Sequence, residues 1–293
     1  MNTSKILHKT TFIFGLILFI GSIISAILYG YPHFYTWFAV GSWLILDWVD
    51  YHKNKTSILG YFYNHKHRIT FFLFFFVSTI AAFVIDYVYG VRLSKMWTWP
   101  AYSNIDFLRM YMIMNLAYIF GMYELYRVFH TYLKNHISSK HRLVFTIPSY
   151  IEKIIAYTGT VVGIIFLILP FISWQHGWTY EMRYIMLLPF LGMWLMSDSI
   201  TTLNKGSSIF GEIIRGNMLH IVSLTLTGIV ATLCTEVVNL YAHEWVYNYM
   251  PFQQLNIFKI PVAVFIGWIP LILGVISLLN MIKHIDYIKQ KTR

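Results

Sequence analysis

The sequence is poor in charge and in cysteine. Charged residues make up 12% of the 293 residues, about half the share found in an ordinary soluble domain. A chain of this length cannot hide 57% hydrophobic residues in one water-soluble core. The single cysteine, Cys234, excludes a disulfide scaffold and a zinc site built from cysteines. The composition therefore excludes a soluble enzyme, a disordered chain and a nucleic-acid-binding protein.

The sequence contains long apolar runs. Each is about 17 residues or longer, which is enough to cross a bilayer as a helix at about 1.5 Å per residue. There are eight such runs, at 11–30, 33–51, 69–91, 105–127, 153–173, 181–199, 217–241 and 256–282. The second and the sixth are the weakest, because each ends in an aspartate. The sequence predicts an all-α, polytopic membrane protein with about eight transmembrane helices.

The basic residues are distributed unevenly along this predicted topology. If the amino terminus lies inside, 17 of the 22 lysines and arginines fall on the inner side and 5 on the outer side. Short cytoplasmic loops carry such an excess of positive charge. The pattern predicts a protein of the cell membrane with both termini in the cytoplasm. Membrane lipid is the expected partner of these cations, and nucleic acid is not.

Residues of the first half recur about 151 positions later. The shared residues are glycine, tryptophan, aspartate and proline, which apolar bias alone would not supply. The matches include Gly41 with Gly192, Trp43 with Trp194, Asp47 with Asp198, and Pro100 with Pro251. The pattern predicts two four-helix repeats, 1–140 and 150–293, which are parallel because each has an even number of spans. Chance similarity between apolar helices is the alternative.

Two acidic residues occupy equivalent places near the predicted outer face. Asp86 lies deep in the third span and Glu236 in the seventh, where a charge costs several kcal/mol. Apolar surroundings favour the neutral form of a carboxyl group, which can then act as a general acid. Aromatic pairs follow each acid, and their faces would stabilise a carbocation. These pairs are Trp97 with Trp99, and Trp245 with Tyr247.

This arrangement suits protonation of a carbon–carbon double bond in an apolar substrate. Asn239 lies on the same helical face as Glu236, three residues further on. We therefore expect Asn239 and the four aromatic residues to contact the substrate. The alternative is that the acids only tie helices together through hydrogen bonds.

A second acidic layer is predicted near the inner face and comprises Asp47, Asp50 and Asp198. Paired aspartates at helix ends could hold Mg²⁺ against a diphosphate. Pairing with the nearby Lys53, Lys55 or Lys205 is the favoured interpretation. Histidines of the same loops do not have the spacing of a di-iron oxygenase, so no metal site is assigned. Two further pairs are predicted to be local ion pairs, Glu124 with Arg127 and Asp106 with Arg109.

The segment from Glu236 to Trp268 is the most distinctive in the chain and reads EVVNLYAHEWVYNYMPFQQLNIFKIPVAVFIGW. It resembles the integral membrane proteins of carotenoid biosynthesis that include the carotenoid 1,2-hydratases, and more distantly the lycopene cyclase domain proteins. Glu236, Tyr247, Pro261 and Trp268 occupy the matching places. The Pro-x-Glu-Glu of the cyclases is absent, because Val262 and Ala263 follow the proline.

The resemblance implies chemistry without a cofactor on a long isoprenoid such as a carotenoid. Glu236 would donate a proton, Asp86 would assist or orient water, and Trp268 would join the substrate site. The product would be a hydrated or cyclised isoprenoid, as from a lyase or an isomerase. A transporter or lipid-binding protein that uses the same carboxylates is the main alternative. The inner aspartates also resemble those of the aromatic prenyltransferases, which use Mg²⁺.

Overall fold

The computed structural model describes residues 3–136, 146–178 and 183–291. The α-helices in chain order are α1 Thr3–Tyr29, α2 Phe34–Asn54, α3 Ile58–Tyr63, α4 Arg68–Ala82, α5 Asn104–Arg109, α6 Asn115–His136, α7 Ser149–Gln175, α8 Leu188–Leu203, α9 Ile209–Ile214, α10 Leu219–Ala242 and α11 Val262–Lys291. A 3₁₀ turn, His65–His67, precedes α4. The four strands have two residues each: β1 Trp97–Thr98, β2 Val246–Tyr247, β3 Asn256–Ile257 and β4 Ile260–Pro261. The predicted all-α class is confirmed.

Two stretches of the helical backbone are π-helical. Phe83–Leu93 continues α4, and Met110–Met114 joins α5 to α6. Wider turns of this kind are rare and often occur at functional sites. These stretches could not be predicted, because apolar periodicity does not separate a π turn from an α turn over so few residues.

Among the described residues, six helical stretches are long and apolar enough to cross a membrane. They are Leu7–Tyr29, His65–Leu93, Ser149–Gln175, Arg183–Leu203, Leu219–Ala242 and Val262–Lys289. Apolar side chains such as Phe14, Ile17 and Val161 are exposed on their surfaces, as expected of helices that face lipid. The protein is therefore a multi-pass membrane protein.

The other two predicted runs, 33–51 and 105–127, form the long helices α2 and α6 but lie outside this apolar set. The reason is their polar content. Asp47, Asp50 and Glu124 are fully buried on these two helices, and Arg127 is nearly so. Helix α2 packs between α1 and α6, and α6 also contacts α10. Interior helices need less apolar surface, because they contact protein in place of lipid.

Glycines allow two helix pairs to approach closely. A Cβ atom added to Gly41 on α2 would lie 2.6 Å from the backbone nitrogen of Phe19 on α1. A Cβ atom on Gly192 of α8 would lie 2.6 Å from the carbonyl oxygen of Gly163 on α7. Small residues let membrane helices pack backbone to backbone in this way. The same device thus joins α1 to α2 and α7 to α8.

The short helices α3 and α9 begin in the same manner. A serine N-caps each helix and accepts a hydrogen bond from the glycine nitrogen three residues later. The backbone N–H of Leu59 donates to Asp47 at 2.8 Å, and that of Phe210 donates to Asp198 at 2.6 Å. Asp47, near the end of α2, therefore binds the start of α3, and Asp198, near the end of α8, binds the start of α9.

Candidate functional site

Strands β1 and β2 bring together the segments that follow the two predicted acids. They pair antiparallel, with Trp97 opposite Tyr247 and Thr98 opposite Val246. The backbone N–H of Asn248 adds a hydrogen bond to the carbonyl of Met96 at 2.9 Å. The Trp99 and Trp245 rings lie 5.4 Å apart beside this pair. The two aromatic motifs identified in the sequence therefore form one structure.

Asp86 receives a hydrogen bond on each carboxyl oxygen. The indole N–H of Trp97 donates to Oδ1 at 2.8 Å, and the phenol of Tyr111 donates to Oδ2 at 2.8 Å. Asp86 and Tyr111 lie on the two π-helical stretches. The two donors therefore hold the Asp86 carboxyl group in one orientation.

Glu236 is bonded differently, because its two donors share one oxygen. Tyr247 donates its hydroxyl to Oε1 at 2.6 Å, and the Trp268 indole N–H lies 3.4 Å from the same atom. The Trp245 indole donates in turn to the Tyr247 hydroxyl at 3.1 Å. Glu236 is 1% exposed. The side chain is thus held in a fixed orientation by three aromatic residues.

Asp86 and Glu236 both line one cavity of about 300 Å³, which we call the acid cavity. Five aromatic residues predicted to contact substrate also line it, namely Trp97, Trp99, Trp245, Tyr247 and Trp268. Most of the remaining wall is apolar. The volume lies at the small end of the range for ligand pockets, roughly 300–1,000 Å³. The two acids and their aromatic partners therefore face a common chamber.

Asn239 does not take the position expected from the sequence. Its amide group binds the turn after α10: Nδ2 donates to the carbonyl of Trp245 at 2.9 Å, and Oδ1 accepts from the backbone of Glu244 at 2.9 Å. His243 ends the helix in the left-handed conformation with φ 52°. The chain reverses there, so Asn239 stabilises the turn that carries Trp245. Asn239 is not among the residues that line the cavity beside Glu236, and its contact with a substrate stays a prediction.

The structure adds polar residues that sequence reasoning missed. Tyr111 completes the bonding of Asp86, and Tyr118 lines the acid cavity. Glu244 is completely buried beyond the end of α10, where it accepts hydrogen bonds from the Tyr102 hydroxyl and from the backbone N–H of Tyr35 at 2.8 Å. Burial raises the pKa of Glu244 to about 8. Its place in a short polar loop gave no sign of burial.

The acids near the other end of the bundle form a separate group with their own partners. Asp47 lies 3.1 Å from the buried His8 ring. Asp50 accepts from Asn54 at 2.5 Å and pairs with Arg127 at 3.1 Å. The predicted pairing of these aspartates with Lys53, Lys55 or Lys205 is wrong, because residues distant in sequence reach them first.

Two local ion pairs predicted from three-residue spacing have different outcomes. Arg109 pairs with Asp106 at 3.3 Å, which confirms that prediction. Arg127 turns to Asp50, while Glu124 accepts a hydrogen bond from the backbone N–H of Ile58 at 2.8 Å. The Glu124–Arg127 pair is therefore wrong. Asp50 and Glu124 are both buried, and each binds a group that lies beside it in the folded protein.

Within residues 3–136, 146–178 and 183–291, no group of three or more histidine, cysteine, aspartate or glutamate side chains is arranged to hold a metal ion. No family model matches the chain. Comparison with curated proteins and with solved structures also found no match. The chemistry of the acid cavity is therefore the basis for a functional assignment.

Proposed function

We propose that the protein converts a long apolar isoprenoid, of the carotenoid type, by protonating one of its double bonds. The observation that carries the proposal is that Asp86 and Glu236 line the same aromatic cavity. The proposal assigns the chain to the carotenoid-biosynthesis membrane proteins that its 236–268 segment resembles. Its reaction would be hydration or cyclisation, and it needs no cofactor.

In the first step Glu236 is the acid. Its Oε1 accepts from Tyr247 and Trp268, so the proton is carried on Oε2. Transfer of that proton to one alkene carbon leaves a carbocation on the other carbon and a carboxylate on Glu236. The two donors stabilise this carboxylate, and the surrounding indole and phenol faces stabilise the cation.

In the second step the cation is captured. For hydration, a water oxygen bonds to the cationic carbon and releases one proton. Asp86 is the base for this proton, because it lines the same cavity as Glu236. For cyclisation, an alkene of the same substrate bonds to the cation, and loss of a neighbouring proton restores neutrality. In both cases Asp86 accepts the released proton and returns it to the Glu236 carboxylate, which regenerates the acid.

The size of the acid cavity suggests how a long substrate would bind. A volume of about 300 Å³ accommodates one end of an isoprenoid rather than its whole length. Tyr184, Phe252 and Ile266 line the cavity and are also exposed on the surface of the protein. These residues mark an apolar route from the bilayer, and the rest of the substrate would extend along it.

The proposal includes a finer architecture. We propose that α2 and α6 also cross the bilayer, which gives eight spans in two parallel repeats, 1–140 and 150–293. The matched glycine contacts and the matched aspartate bonds to α3 and α9 support this organisation. The location would be the cell membrane, with both termini in the cytoplasm, as the distribution of basic residues suggests.

The test is conversion of an acyclic carotenoid by purified protein in D₂O. Wild-type protein is expected to give a hydrated or cyclised product that carries deuterium from the solvent. Glu236→Gln keeps the size of the side chain but removes the proton, so conversion should fall at least about 100-fold, the usual contribution of general acid catalysis. The readout is chromatography with mass spectrometry.

Asp198→Asn is the matched control. Asp198 is a buried membrane acid like Glu236, but it binds Trp194 and the start of α9 at the other end of the bundle. An asparagine oxygen can accept the same two bonds, so conversion should stay within about twofold of wild type. Unchanged conversion in Glu236→Gln would refute the assignment of the acid.

A further inference from the structure

A second cavity lies at the other end of the bundle, where α2 ends and α4 begins. It measures about 310 Å³, and we call it the tyrosine cavity. Its lining includes three phenol rings together with a lysine, an amide and an imidazole. These residues are Tyr51, Lys55, Tyr61, Tyr63, Asn64 and His67. This wall is rich in hydrogen-bond donors, in contrast to the apolar wall of the acid cavity.

Tyr61 is the residue that points to a missing ligand. Its side chain is 6% exposed, yet its hydroxyl has no hydrogen-bond partner in the part of the chain that the structure describes. A buried polar group without a partner costs about 1–3 kcal/mol. A bound molecule, an ion or an ordered water is one way in which a protein satisfies such a group. An acceptor atom in the tyrosine cavity would do so.

The charges around Tyr61 define the chemistry of that acceptor. The Lys283 ammonium lies 6.0 Å from the centre of the Tyr61 ring, and the His67 ring lies 5.8 Å from it. Arg127 reaches the same wall through a 2.7 Å hydrogen bond to the Thr56 hydroxyl. Basic side chains therefore lie around the Tyr61 ring.

The nearby acids are already engaged. Asp47 is bound by His8 and by the backbone N–H of Leu59. Glu124 accepts from Ile58, and Asp50 is paired with Arg127. None of these three acids lines the tyrosine cavity among the residues described. Arg127 is held by Asp50, but none of the three acids pairs with Lys55 or Lys283 in the part of the chain that the structure describes. These two lysines can therefore pair with an external anion.

We propose that the tyrosine cavity binds a phosphate group. Phosphoryl oxygens accept hydrogen bonds strongly and pair with lysine and imidazolium cations. The source is either the headgroup of an anionic phospholipid or free phosphate in solution. A position at the basic end of a membrane protein favours the lipid headgroup. This site is independent of the acid cavity, so either proposal can fail alone.

The experiment measures binding to the purified full-length protein in detergent at constant ionic strength. The probes are short-chain phosphatidylglycerol, short-chain phosphatidylcholine and inorganic phosphate, and the readout is a saturable rise in melting temperature. Phosphatidylglycerol is expected to bind. Phosphatidylcholine has the same phosphodiester, but its choline ammonium would be repelled by Lys55 and Lys283, so it should bind at least about tenfold more weakly. Competition by inorganic phosphate at equal concentration would support the site and assign it to free phosphate.

Two variants test the assigned residues. Tyr61→Phe removes only the hydroxyl, and Lys55→Gln removes one charge. Each should weaken phosphatidylglycerol binding roughly tenfold, the effect of losing a charge-assisted hydrogen bond. Lys205→Gln is the matched control, because Lys205 has the same left-handed φ of 60° after α8. Its binding should equal that of wild type.

The ligand-free protein supplies a second readout. Because the Tyr61 hydroxyl has no partner there, Tyr61→Phe should melt at the wild-type temperature or above it. A lower melting temperature would mean that the hydroxyl is structural, which would overturn the proposal. Equal binding of phosphatidylglycerol and phosphatidylcholine, or wild-type binding by both variants, would also overturn it.

Discussion

Gly90 controls the position of Trp97 at the acid cavity. A Cβ atom at Gly90 would lie 1.8 Å from Cζ2 of the Trp97 ring, which is rigid and bonded to Asp86. Gly90→Ala should therefore displace the ring and break its bond to the carboxylate. We expect a loss of about 1–3 kcal/mol of stability, as for overpacking in a core, together with a shift in tryptophan fluorescence.

Gly21→Ala is the control for this substitution. Gly21 lies on α1, and no atom comes within 4 Å of an added Cβ. Alanine should leave the fluorescence unchanged and keep or slightly raise the melting temperature, because it is the better helix former. If Gly90→Ala behaves like Gly21→Ala, the ring is not fixed by this contact.

The buried carboxyl group of Glu244 should make the stability of the protein depend on pH. Its folded-state pKa of about 8 lies above the ordinary value near 4.3 for an unfolded chain. The folded state therefore holds a proton that the unfolded state has lost, and stability falls as pH rises through this window. The slope is about 1.4 kcal/mol per pH unit, ending near pH 8.

Glu244→Gln removes the titrating group and should remove this slope. Melting temperatures of the wild type and the variant, measured in detergent from pH 5 to 9, should converge or cross as the wild type loses stability. Parallel curves across that range would contradict the prediction. The loop that contains Glu244 lies beyond α10, so the group is outside the spanning segment.

At the residue scale, the sequence was informative about the cavity and misleading about its surroundings. Asp86 and Glu236 were recognisable because a carboxyl group inside an apolar run is costly and therefore conspicuous. Asn239 shares a helical face with Glu236, but its role depends on the chain reversal at His243. Such a reversal depends on local backbone geometry that residue spacing does not encode.

At the scale of elements, the glycine contacts between helices predict matched effects. Gly41→Ala should force α2 away from α1, and Gly192→Ala should force α8 away from α7, since each added Cβ would meet backbone 2.6 Å away. Each change should cost about 1–3 kcal/mol. Thermal melting in detergent measures the loss, with Gly21→Ala as the control on α1. A neutral result at either position would show that its helices can separate freely.

The positions of the long helices could be predicted from the sequence. Whether each helix faces protein or lipid could be predicted only in part. All eight apolar runs contain long helices, but only six of the helices in the described residues are apolar enough to be identified as spans by length and hydropathy alone. The sequence did not reveal that α2 and α6 are interior helices, because the groups that bind their buried acids are distant along the chain. The π-helical stretches around Asp86 and Tyr111 were also unpredictable, because they reflect packing of neighbouring helices.

At the scale of the whole molecule, the orientation can be tested with single cysteines. Cys234 is first replaced by alanine. His176→Cys, at the end of α7, should react with a membrane-impermeant maleimide in intact cells. Lys66→Cys, before α4, should react only after the cells are permeabilised. The opposite pattern would reverse the proposed topology.

The β1–β2 pair also bears on how the molecule can move. Carriers that work by alternating access rock one repeat against the other, so that a central site opens to each side in turn. Here the main chain at 96–98 is hydrogen-bonded to that at 246–248, which fastens the two halves at one end. Rocking there would have to break these bonds in every cycle. A cavity between two halves that are bonded together is better suited to a substrate that enters from the bilayer, reacts, and leaves by the same route.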